Sequence, residues 1–183
     1  MKLLSGSLLG IFVLTIAWTP PTLAHDHGKS SDNDRKKNDL IKVVRESTAR
    51  FRDVEVAKAE GYELMFGCVS GDAAGAMGLH FVKGSLIGDD VLDPTHPEIV
   101  IYEPLPSGRL RLIGADFLVF SDAWHTNHAE TPQLMGQLLH LFESPNRFGL
   151  PDFYTLHVWA WKPNPTGAFT NWHANVSCDA YNP

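Results

Sequence analysis

The sequence is poor in cysteine, in long apolar runs and in positive charge, and each shortage excludes something. Only two of the 183 residues are cysteine, Cys68 and Cys178, and they form no C-x-x-C pair. Beyond the first 24 residues no apolar run approaches the ~20 residues that a membrane-spanning helix needs. Lys and Arg number 15 against 21 Asp and Glu, a net charge of −6. That balance disfavours nucleic acid and anionic membrane surfaces as partners. There is no G-x-S-x-G elbow and no Gly-rich loop that opens a helix after a strand. The stretch "GDAAGAMG" (Gly71 to Gly78) therefore reads as a flexible loop and not as a nucleotide site.

What is present begins with a leader. Lys2 and the apolar run "LLGIFVLTIAW" (Leu8 to Trp18), followed by "TPPTLA", have the form of a secretory signal peptide over residues 1–24, with Thr22 and Ala24 as its small cleavage-site residues. Such a leader predicts a secreted or periplasmic protein, free of the membrane after cleavage. Export in turn favours one disulfide between Cys68 and Cys178 over a thiolate metal pair. The bridge would close a loop of about 110 residues.

Residues 25–39, "HDHGKSSDNDRKKND", contain no aliphatic or aromatic side chain and are expected to be a mobile polar tail. The folded domain is expected over residues 40–183, as a single unit. Leu40, Val44, Thr48 and Phe51 lie at near-helical spacing, Asp53 can cap a second short helix, and Gly61 can end it. Five runs then read as strands: "LMFGCV", "MGLHFV", "EIVIYEP", "RLRLIGADFLVF" and "FYTLHVWAW". The turn in "EPLPSGRL" suggests a hairpin. "TPQLMGQLLHLF" fits either a helix begun at Thr131-Pro132 or a buried strand. Helices first and strands after predict an α+β fold, with N-terminal helices packed on a mainly antiparallel, curved sheet.

Nine histidines carry most of the chemical signal. Cleavage after Ala24 would place His27 third from a free amine at His25, a nitrogen-rich arrangement that resembles the amino-terminal copper and nickel motif. His125 and His128 in "WHTNH" would share one helix face. His80, His140 and His157 each sit alone in an apolar segment. Glu103 alternates with Ile101 and Ile99, so its carboxylate is expected on an interior face with them. Histidines with one carboxylate suit Zn(II) or non-haem Fe(II). His96 and His173 read as surface residues. Trp159 and Trp161, alternating along one strand, are a candidate platform for a sugar or planar ligand.

The C-terminal run "LHVWAWKPNPTGAFTNWHANVSC", with "MGLHF" and "EPLPSGRLRLIG", resembles a family of exported bacterial proteins. The resemblance implies one domain of shared architecture and supplies no catalytic residue. The expectation is thus an exported protein binding copper, nickel or zinc through His25 and His27, through a domain histidine cluster, or both. A small exported enzyme with a His/Glu pocket and a Trp-lined ligand-binding module are the alternatives.

Overall fold

The computed structural model describes residues 27–71 and 73–183, and side chains from Ser31 on. The expected leader and His25 lie outside the described residues, and so does the side chain of His27. Helix α1 (His27–Ser47) leads through a short 3-10 turn (Ala49–Arg52) into α2 (Val54–Ala59). Strands β1 (Tyr62–Gly71), β2 (Gly75–Lys83), β3 (Ile99–Pro104) and β4 (Leu110–Phe120) follow, then α3 (Ser121–Asn127). The chain ends its regular structure with β5 (Gln133–Leu134), β6 (Gln137–Leu138), β7 (His140–Phe142) and β8 (Phe153–Val158).

Six strands pair antiparallel in the order β1-β2-β3-β4-β8-β7, and β5 with β6 forms a separate small ribbon. The fold is the α+β arrangement read from the sequence, a curled sheet with helices on one face. All five predicted strands are present. The Thr131–Phe142 stretch, legible as a helix or as a buried strand, is three short strands. Met135 and Gly136 both take positive φ there, and that bend is incompatible with a helix.

The outer face of the sheet is covered by the helices. Leu40 and Val44 of α1 have no exposed surface and pack on Ala115, Phe117 and Val119 of β4. Phe51 and Ala57 close over Leu79, Phe81, Val100 and Tyr102 in a neighbouring cluster. Thr48 completes the stripe, donating its hydroxyl to Val44 O and accepting the Trp161 indole N–H. Asp53 caps α2 through Glu55 N, and Gly61 turns the chain at φ +89°. Residues 27–39, expected as a tail, are the first turns of α1. Asp32 pairs there with Arg35 and Lys36, and the buried end at Leu40 and Val44 fixes the register that the exposed turns extend.

The inner face carries Val82, Ile99, Ile101, Leu118, Phe153 and Trp159. The segment after β8 folds back over it, so that His173 pairs its backbone with Ala76 of β2. Gly75 is required at this contact, since a Cβ there would lie 2.2 Å from His173 O. The glycines of "GDAAGAMG" thus serve a hairpin and a close backbone approach. The Cys68–Cys178 disulfide forms as expected and ties the returning segment to β1.

Candidate metal centre

On an inner sheet face, alternate residues of each strand point inward. β2 therefore delivers His80, β4 delivers Asp116 and β8 delivers His157. Asp116 and His157 are direct cross-strand partners, whereas β3 separates His80 from Asp116. On a flat sheet β2 and β8 would lie about 14 Å apart, three strand spacings. The curl brings the two imidazole centroids to 5.7 Å. One ligand atom from each of His80, Asp116 and His157 falls within 4.8 Å of the others.

All three side chains are buried, at 5%, 3% and 2% exposure respectively. His80 Nδ1 and both nitrogens of His157 have no hydrogen-bond partner. The Asp116 carboxylate is oriented by the Thr155 hydroxyl, which donates to its Oδ1. That oxygen is 3.5 Å from His157 Nδ1, too far for a good hydrogen bond. Orphaned buried nitrogens cost free energy unless water or an ion satisfies them.

Protonation favours the same reading. Burial pushes His157 down to about 3, with repulsion from His140 adding to it and the nearby Asn171 side chain, too far for a good hydrogen bond, opposing it. Burial, reinforced by His157 and opposed by Asp116, pushes His80 down to about 4. Asp116 is raised to about 6 by burial, against the pull of His80 and Thr155. Near neutral pH the cluster is two neutral imidazoles and one carboxylate, the state in which each ligates a cation. No Lys or Arg lines the adjoining cavity among the described residues, so the carboxylate has no protein counter-charge there. Two imidazoles and a carboxylate could hold Zn(II) or Fe(II) with positions left open.

The three donors line a cavity of about 30 Å³. Its remaining walls are chiefly apolar, including Phe66, Leu118, Phe142, Phe148, Leu150 and Phe153. Phe66 meets Phe148 edge to face at 5.4 Å between centroids. Phe66 and Gly67 are inserted between the paired residues Met65 and Cys68 of β1, both at φ +65°, and Phe66 is half exposed. This bulge places the ring in the cavity wall.

The other expected site residues go elsewhere. The Glu103 carboxylate accepts hydrogen bonds from Arg111 and from Lys162, the latter at 2.7 Å. Burial alone would raise it, but these two cations hold it below the usual carboxylate range. Asp116, and not Glu103, is the carboxylate that lies beside the two imidazoles. His125 and His128 share no ligand geometry: His125 Nε2 meets the Tyr154 hydroxyl at 2.9 Å, while the His128 ring stacks on Trp124 at 3.9 Å. His140 is exposed on the edge strand β7, its Nδ1 3.3 Å from Asn171 Oδ1, outside the three-donor group.

His96 lies at the surface beside Asp93 as expected, but His173 is fully buried, and its Nδ1 accepts from Asn175 N. Trp159 and Trp161 form no platform. Trp159 is 3% exposed on the inner face against His157, whereas Trp161 packs under α1 beside Thr48. β8 ends at Val158, so strict alternation does not extend to both indoles.

Asp116 was the residue to find. A lone acidic side chain inside "LIGADFLVF" is too costly to bury without a partner, and that is a signal in the sequence itself. No helix among the described residues is long and apolar enough to cross a membrane. Comparison of the chain with family models, with curated proteins and with solved structures yields no match.

Proposed function

We propose that the chain is an exported metalloprotein whose ion is held by His80, Asp116 and His157. The observation that carries the reading is the convergence of three buried donors, two of them imidazoles with unsatisfied nitrogens. The donor set suits Zn(II) first and Fe(II) second, since softer or square-planar ions prefer thiolate or all-nitrogen sites. Cu(II) and Ni(II) fit the His25–Asp26–His27 segment, which would act as a separate capture site in a chain cut after Ala24. The segment from 1 to 24 and the disulfide support export.

The test is metal content by mass spectrometry on untagged protein recovered from the periplasm. Wild type is expected to carry about one equivalent of tightly held zinc or iron. Asp116→Asn, nearly isosteric, should lose it while keeping its circular dichroism spectrum. His25→Ala with His27→Ala should keep it. Metal that follows the N-terminal histidines, or none in any sample, would remove the buried centre.

A further inference from the structure

We propose that this centre takes a monoanion of two or three heavy atoms as its exogenous ligand, admitted between Phe66 and Phe148. The inference rests on the metal reading above and adds the class of molecule that the site accepts.

Charge sets the sign of the ligand. A divalent ion with one carboxylate and two neutral imidazoles keeps one net positive charge. Neither a second carboxylate nor any other anionic side chain lines the cavity among the described residues. An uncompensated charge in an apolar enclosure is strongly disfavoured. One small anion on an open position neutralises it.

Size sets the upper bound. The cavity holds about 30 Å³, room for two or three water-sized groups at ~10–15 Å³ each. Recognition points the same way. The polar side chains in the wall are His80, Asp116, His157 and Thr155, and the Thr155 hydroxyl is already given to Asp116. Nothing remains to orient a larger polar substrate by hydrogen bonds, as specific small-molecule sites do. The ion and the limited space must therefore select the ligand between them.

Access is through the aromatic pair. Phe66 stands on the β1 bulge, and Phe148 stands on the loop between β7 and β8. That loop is braced by Asn146, whose Oδ1 accepts from Phe148 N and Leu150 N and whose Nδ2 donates to Leu150 O. Both rings can move without breaking a strand pairing.

The experiment uses the full chain loaded with Co(II) and followed by visible absorption. The centre's signal is defined as the part that Asp116→Asn abolishes. Azide should shift this signal saturably, whereas benzoate, of equal charge but ring-sized, should leave it unchanged. Phe148→Ala should bind benzoate at least ~10-fold more tightly than wild type, with azide affinity within about 3-fold. A cobalt signal that ignores azide overturns the proposal and leaves the metal reading standing. So does benzoate binding wild type as well as azide does, or benzoate still excluded from Phe148→Ala. Absence of any Asp116-dependent signal overturns the metal reading, and the proposal with it.

Discussion

Glu98 and Asp116 are both carboxyl groups buried beneath the same sheet, and their titrations oppose those of the buried histidines. Glu98 accepts a hydrogen bond from Leu118 N, yet burial raises it to about 8. A raised carboxyl stabilises the fold below its unfolded pKa and loses that contribution as pH rises through its folded value. Asp116 therefore costs stability between about pH 4 and 6, and Glu98 between about 4.5 and 8. The histidines are depressed, so their contribution is lost as pH falls below 6.5 toward 4 and 3. Between pH 4.5 and 6 the two sets largely cancel in metal-free protein. From pH 6.5 to 8 only Glu98 remains, and stability should fall by up to ~1.4 kcal/mol per pH unit. Thermal melts of metal-free protein should show a lower midpoint at pH 8 than at pH 6.5, and Glu98→Gln should flatten that slope. An unchanged slope in the variant would refute the assignment. Metal binding has the opposite sign, because the ion competes with the Asp116 proton. Affinity measured against a chromophoric chelator should fall about 10-fold per pH unit below pH 6.

The elements differ in how far their positions could be read from local pattern. The stripe Leu40, Val44, Thr48, Phe51 and the alternation in β2, β4 and β8 were legible because each records burial on a face, which is a local property. Glu103 obeyed that alternation, and its partners, Arg111 on β4 and Lys162 beyond β8, were not visible in it. Which strands neighbour one another, and how tightly the sheet curls, depends on pairings between distant segments. The meeting of His80 with His157 was unreadable for that reason. The loop between β7 and β8 was unread as well, since its shape comes from the hydrogen bonds of two side chains, Asn146 within it and Asp152, which accepts from Ser144 N. Asn146→Ala should loosen Phe148 while leaving the strands paired. Stripping of the ion by EDTA should then be about 10-fold faster, with stability in urea reduced by only ~1–2 kcal/mol. Equal stripping rates would show that the loop does not control access.

At the scale of the whole molecule, the sheet alone does not enclose its inner face, and the chain after β8 finishes the enclosure. Trp159 and Val176 pack there with Ala76, Ile101 and Ile113, and the Cys68–Cys178 bridge fastens the returning segment across a separation of 110 residues. Replacing both cysteines by serine should cost at most ~4–5 kcal/mol of unfolding free energy by the chain-entropy argument, read from urea denaturation. Little or no loss would mean that packing alone holds the segment. The bridge joins β1 to a residue beyond the last strand, so it can close only after all three donors have been synthesised. Two residues before Cys68 stands Phe66, a ring of the cavity wall. Oxidation thus acts as a deadline. On the metal reading proposed above, an ion present while the thiols are still free is enclosed as the bridge forms, and a chain that oxidises empty must be filled past Phe66 and Phe148. On that reading, metal supply at the moment of oxidative folding bears directly on what fraction of the protein is loaded.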